Sequence, residues 1–250
     1  MQSIHKKIGE TPLEALERYR IEAGISAEAP MTYAGRLDPL AEGVLLILVG
    51  DECKDKERYL GLNKEYEVEI VFGISTDTHD ALGLVTEVSL AQVTPPQINL
   101  PDYVGIFTQL YPAYSSKTVR GVQLHELARR NELPEEMPTK EVEIYGIEEV
   151  KSGGDTCAGV TSAITELELK SRILANIALV KGDFRQEEIV KRWEEVLQRR
   201  GLGERSYPRL ILRIKCSSGT YMRSLADRMG KDSGLGAFAL GIKRTMIFLG

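Results

Sequence analysis

The sequence predicts one α+β domain around a mixed, mostly antiparallel sheet with helices on its faces. Three observations lead there. Segments of strand alternation and of helical periodicity are interspersed without a regular βαβ rhythm, no stretch repeats another, and no low-complexity linker divides the 250 residues. Apolar residues make up 42% and charged residues 28%, the balance of a soluble chain able to bury a sizeable core.

Each element has a local reason. Thr11, Pro12 and Glu14 supply an N-cap, a proline at the first helical position and a capping box. A helix therefore runs through LEALERYRIEA and stops at Gly24. A loop with Pro30 leads to AGRLDPLAEG and then to VLLILVG, an apolar run that reads as a buried strand. In EYEVEIVFG, Tyr66, Val68, Ile70 and Phe72 share one face, while Glu65, Glu67 and Glu69 share the other. TDTHDALG is a turn-rich loop, and SLAQVTPPQINLPDY, punctuated by prolines, is a connection with one short helix. VQLHELARRN reads as a short amphipathic helix, and VEIYGIEEV and VTSAITELELK read as strands. DFRQEEIVKRWEEVLQRRG is a helix with a capping box at Asp183 and Gln186, a stripe of Ile189, Trp193, Val196 and Leu197, and Gly201 as its stop. RLILRIKC alternates as a strand. SSGTYMRSLADRMG is a loop entering a helix that turns Met222, Leu225, Ala226 and Met229 inward.

Bulk properties narrow the function class. No apolar run approaches the ~20 residues of a membrane helix, and MQSIHKKIGETP has no apolar leader core. Cys53, Cys157 and Cys216 are far apart and form no CxxC pair, which fits a reducing cytoplasm. Three scattered histidines do not suggest a zinc site. A net charge of −5 counts against nucleic-acid binding as a sum. Its distribution counts the other way: residues 117–130 carry Lys117, Arg120, His125, Arg129 and Arg130 against Glu126 alone. The same charges also suit a solvated helix face.

Four motifs carry chemistry, each with a plain structural alternative. In GRLDPLAEG, Asp38 precedes a proline that disfavours helical geometry for it. It caps a one-turn helix stopped by Gly43, or it is a carboxylate held on a loop between rigid elements, or both. Tyr66 is a core tyrosine or a ring able to stack on a base. Asp77, His79 and Asp80 resemble a metal cluster in composition, but Asx-turn chemistry explains them more cheaply. In CSSGTYMRSLAD, free N–H groups of Ser217, Ser218 and Gly219 could hold a phosphate. There Arg223 pairs with Asp227 one turn on, or fixes a catalytic carboxylate from elsewhere.

The order of these segments resembles the TruB family of tRNA pseudouridine synthases. The matching stretches are GRLDPLAEGVLLIL, NKEYEVEIVFGISTDTHDALG, QLYPAYSSKTVRG with LHELARR, and CSSGTYMRSLADRMG with LGAFALGIKRT. The resemblance implies the pseudouridine synthase fold, a long mixed sheet crossed by an active-site cleft. It implies Asp38 as the catalytic aspartate, Tyr66 as the ring stacked on the target base and Arg223 as the partner of the aspartate. It places Asp80 and Tyr221 near the target uridine and Lys117 in a loop gripping the RNA. Tyr33 stands where the family usually has a histidine against the RNA. The lead segment KKIGETP lacks the proline usual after its lysine. Residues of about 171–206 are an extra stretch, and the accessory RNA-binding domain common in the family does not follow GIKRT.

The activity so implied is isomerisation of a uridine, position 55 of the T loop, in a tRNA T arm. It would be carried out by a monomeric cytoplasmic enzyme that needs no cofactor, because no group or electron is transferred. Two other classes fit parts of the sequence: a non-catalytic tRNA-binding module, and a hydrolase using Asp38 and Asp80 as a carboxylate pair. In the synthase reading Asp38, Tyr66, Asp80 and Arg223 meet in one cleft, with Arg223 within about 4 Å of Asp38.

Overall fold

The computed structural model describes residues 2–89, 93–150, 162–198 and 205–248. A nine-stranded sheet organises them. Its strands are β1 (Gln2–Lys6), β2 (Met31–Ala34), β3 (Ala41–Val49), β4 (Asn63–Phe72), β7 (Gly105–Leu110), β10 (Thr139–Glu149), β11 (Ser162–Thr165), β12 (Ser206–Cys216) and β13 (Ala237–Phe248). Two small hairpins complete the strands: β5 (Ile74–Thr76) with β6 (Val85–Val88), and β8 (Thr118–Val119) with β9 (Val122–Gln123). The main path runs β1-β3-β13-β4-β12-β10-β7, with β2 beside β3 and β11 beside β12. Every ladder in it is antiparallel except β13 with β3. Among the described residues six α-helices flank the strands: α1 (Pro12–Glu22), α2 (Lys56–Leu60), α3 (Leu124–Arg129), α4 (Glu166–Leu179), α5 (Gln186–Gln198) and α6 (Met222–Asp232).

Two large cores form on the sheet, with smaller clusters between α1 and β3 and beside α2. In register, Tyr66 faces Ile214, Val68 faces Leu212 and Ile70 faces Leu210, so the alternation of β4 and β12 produces one continuous apolar face. α6 covers that face with Met222, Leu225, Ala226 and Met229. The other core joins Val71, Ile74, Tyr207 and Phe238 to Leu169, Ile173 and Ile177 of α4 and Ile189, Trp193 and Leu197 of α5. A fully buried aliphatic side chain here contributes roughly 1.5–3 kcal/mol. The cap of α1 is as the sequence implies: Thr11 Oγ1 accepts from Glu14 N, and the Glu14 carboxylate accepts from Thr11 N at 2.7 Å.

The structure corrects several readings. VTSAITELELK is not one strand. From Ser162, where its described part begins, it is β11 followed at once by α4, whose N-cap Thr165 accepts from Glu168 N at 3.2 Å. Asp183 does not cap α5. Its carboxylate accepts from Arg185 N at 3.3 Å, and the Gln186 amide oxygen accepts from Phe184 N at 2.8 Å. The stop at Gly201 lies outside the described residues. Asp38 caps no helix, because the chain passes through a turn, Ala41 N to Asp38 O at 3.0 Å, directly into β3. β1, β2, β7 and β13 are strands that the sequence pattern did not reveal.

Gly43 is not a helix stop but a strand residue at φ 110°, and a Cβ there would sit 2.2 Å from the Arg244 carbonyl oxygen. Gly43 pairs with Arg244 of β13 on one side and Lys6 of β1 on the other. Gly43→Ala is therefore expected to destabilise the fold by at least about 3 kcal/mol through strain and a broken ladder. The denaturant midpoint measures it, and a shift of under about 1 kcal/mol would show that the strands can part there.

Candidate active site

A cleft of about 890 Å³ crosses the sheet, and Tyr33, Asp38, Tyr66, Asp80, Lys117, Tyr221 and Arg223 all line it. That volume suits a nucleotide-sized ligand.

Asp38 sits on the 35–40 loop between β2 and β3. The loop is pinned on both sides by Leu37, buried in one core, and Leu40, buried in the other. Arg223 lies in the first turn of α6, and its side chain is 4% exposed. Its Nε donates to Asp38 Oδ2 at 2.7 Å, inside the reach set by the sequence reading. Its Nη1 and Nη2 donate to the Thr78 and Tyr114 carbonyls at 2.9 and 3.2 Å. One guanidinium thus ties together three separate loops. The ion pair with Asp227 does not form; Asp227 takes Lys231 at 2.7 Å instead.

Asp80 faces the same nitrogen at 3.6 Å but in a different environment. Asp38 is 38% exposed, whereas Asp80 is buried and accepts from Thr78 Oγ1 at 2.6 Å and Leu82 N at 2.9 Å. Asp77 turns away to Arg185 at 2.9 Å, so the carboxylates of TDTHDALG diverge rather than converge on a cation. Burial pushes the Asp80 carboxyl up to about 6, against the pull of Arg223.

The sign of that shift yields a test. An unfolded aspartate titrates near 3.9. Between the two values the folded protein holds a proton that the unfolded chain has released. This contribution to stability is full below the lower value and is lost as pH rises through the higher. Wild type should therefore weaken relative to Asp80→Asn between about pH 4 and pH 7, by no more than about 3 kcal/mol. Denaturation midpoints across that range read it, and a constant gap would mean that Asp80 titrates as it does in water.

Tyr66 is 9% exposed on β4, its ring at the cleft floor, and burial raises its phenol pKa. Tyr221 is locked by a reciprocal pair with Gln109, at 2.8 Å through its N–H and 3.1 Å through its carbonyl. Its ring meets Tyr111 edge-on, and burial pushes its phenol up to about 12. Tyr33 packs on the α1–β3 core, with the Lys56 ammonium 5.6 Å above its ring. Lys117 is exposed on the cleft flank, 5.1 Å over the Tyr111 ring.

Three buried cations at or beneath this floor escaped the sequence reading. Lys6 Nζ donates to the Lys7, Pro39 and Ala41 carbonyls, at 3.1, 3.2 and 2.5 Å. Burial lowers its pKa to about 8, and Asp38 pulls the other way. Arg244 donates to Val44 O at 2.6 Å, Arg36 O at 3.3 Å and Gly35 O at 3.2 Å. Lys64 donates to the Leu60 and Leu62 carbonyls. Lys6 and Arg244 thus hold the backbone on both sides of Asp38. Only Lys64 carried a local signal, a cation on the apolar face of β4 two residues before Tyr66. Over the whole lining, eight lysines and arginines face Asp38, Glu57 and Asp80, so the cleft is cationic on a chain of net charge −5.

The chain has the pseudouridine synthase fold. It aligns over 98% of its length with the structure titled Crystal Structure of a Cbf5-Nop10-Gar1 Complex, at TM-score 0.53 and 15% identity, covering 48% of that chain. It also aligns over 98% with the structure of an H/ACA RNP bound to a substrate RNA containing 2′-deoxyuridine, at TM-score 0.50 and 14% identity, covering 47% of that chain. A family model described as TruB family pseudouridylate synthase (N terminal domain) matches residues 25–165, more than half the chain, and the chain belongs to that family.

Curated relatives agree. The tRNA pseudouridine synthase B of Dechloromonas aromatica is 27% identical over 246 residues, 98% of this chain and 63% of that protein. Those of Xanthomonas oryzae pv. oryzae and Syntrophomonas wolfei subsp. wolfei are 31% and 29% identical, over 86% and 85% of this chain and 53% and 55% of theirs. The chain spans between about half and two thirds of the length of these relatives. Among the described residues no helix is long and apolar enough to cross a membrane.

Proposed function

We propose that the protein isomerises a uridine of tRNA to pseudouridine, the T-loop uridine at position 55, with Asp38 as the catalytic carboxylate. The observation that carries this is the 2.7 Å bond between Arg223 Nε and Asp38 Oδ2, made across 185 residues at the floor of a nucleotide-sized cationic cleft.

A stacked and paired uridine must leave its loop to reach such a floor, at a cost of a few kcal/mol. Tyr66 offers the flipped base a stacking face. Arg223 holds the Asp38 carboxylate aimed; Lys6 and Arg244 keep its backbone still. Asp38 then acts at the sugar, as nucleophile on C1′ or as base on a sugar proton. The C1′–N1 bond breaks, uracil rotates, C5 bonds to C1′, the C5 proton leaves to solvent and N1 gains one. Nothing is oxidised or transferred, so the cycle needs no cofactor.

Tritium release from tRNA labelled at uridine C5, followed by carbodiimide mapping of the product, tests the reading. Release with a single stop in the T loop supports it. Tight tRNA binding without release would leave a non-catalytic RNA-binding module.

The cationic flank gives a binding prediction. Reversing charge at both Arg120 and Arg129 should weaken tRNA binding and flatten its dependence on log salt by about 1–2. Titrations at several ionic strengths check this, and an unchanged slope would place the phosphates elsewhere.

A further inference from the structure

The α4–α5 hairpin, most of the extra stretch, touches two of the segments that shape the cleft, the 77–85 loop and the α3 flank. Trp193 Nε1 donates to Ala81 O at 3.1 Å, beside Asp80, and Arg192 Nε donates to Val85 O at 3.2 Å. Arg185 Nη1 bonds Asp77 at 2.9 Å. From the other side, Arg129 of α3 donates to Asp183 O at 2.5 Å. The hairpin therefore ties the Asp80 loop to the flank that carries Lys117.

Its turn reaches the cleft itself. Phe184 and Arg185 both line it, next to Tyr114. Arg185 stands at φ 62°, an unfavourable backbone for a side chain of its size, and its guanidinium lies 4.3 Å over the Tyr114 ring. Phe184 is half-buried: it packs against the core shared by α4 and α5 and also lines the cleft wall. An aromatic ring open to a cationic cleft, beside a second ring already stacked with a guanidinium, makes a surface for a flat, unstacked base. Tyr66 is deeper and belongs to the floor.

We propose that Phe184 is a base-stacking residue, taking the base of an RNA nucleotide that neighbours the one drawn onto the floor. This rests on the cleft being an RNA site and adds to it a substrate contact supplied by the hairpin.

The test is fluorescence anisotropy with a labelled T-arm stem–loop RNA, using wild type, Phe184→Leu and Phe184→Tyr. Leucine keeps the apolar packing and loses the ring; tyrosine keeps the ring. Phe184→Leu should bind at least about fivefold more weakly, the low end for loss of one base–aromatic stack, and Phe184→Tyr within about twofold of wild type. Melting midpoints of both should stay close to wild type. Wild-type affinity in Phe184→Leu, an equal loss in both variants, or no RNA binding by wild type would each overturn the proposal. Stacking behaviour as expected with no tritium release would instead sink only the synthase reading.

Discussion

Asp38→Asn should abolish turnover, lowering the rate by at least about three orders of magnitude, while tRNA binding stays nearly intact. The substitution keeps the size of the side chain and an acceptor for Arg223, but removes the charge and the attacking or proton-accepting oxygen. Stability should fall only by about 1 kcal/mol, because Asp38 is partly exposed and Asp80 still faces the guanidinium at 3.6 Å. Single-turnover tritium release beside a binding titration separates the two effects. A variant that keeps even a tenth of the wild-type rate would show that Asp38 is not the group that does the chemistry.

Arg223→Lys should be the second most damaging change, with a rate loss of about a hundredfold or more. A guanidinium reaches Asp38, the Thr78 carbonyl and the Tyr114 carbonyl at once from one plane. An ammonium on a shorter stem cannot hold all three. The buried carbonyls would be left partly unpaired, and the fold should lose about 2–4 kcal/mol. The rate should stay low at temperatures well below the new melting midpoint. If lysine restores near wild-type turnover, charge alone positions Asp38 and the three-loop geometry is incidental.

Much of this site was legible, for reasons that differ by residue. β4 announced itself because its glutamates alternate with Tyr66, Val68, Ile70 and Phe72, and α1 because its cap is written in consecutive residues. β13 did not, because its register shifts at Ala239/Gly241 and again at Arg244/Met246 and it buries an arginine, so no period of two survives. β1 is short, polar and ends in a buried lysine. In α4 the alternation of Leu167 and Leu169 imitated a strand. The structure exposes Leu167 and buries Leu169, Ile173 and Ile177, a helical spacing hidden by one outward leucine.

The pairing of Asp38 with Arg223 could not be read locally at all. Arg223 has a well-spaced acid at Asp227, and Asp38 has a proline and a glycine placed for a small helix. Only the order of motifs, through family resemblance, pointed to their meeting. The buried lysines and arginine below the floor had no such guide.

The place of β13 in the sheet has a consequence for how the protein is made. Residues 237–248 lie between β3 and β4, so the strand that bears Tyr66 and the strand that follows Asp38 are not joined in one sheet until that late segment arrives. During synthesis, the ribosome will have released more than two hundred residues before the sheet can close. Until then β4 presents an open apolar edge of the kind that recruits chaperones or aggregates. Pairings so distant in sequence also place folding at the slow end of the two-state range. Arg244, which clamps the Asp38 loop, is synthesised among the last of the described residues. A nascent chain should therefore acquire a working cleft late and all at once, rather than in stages.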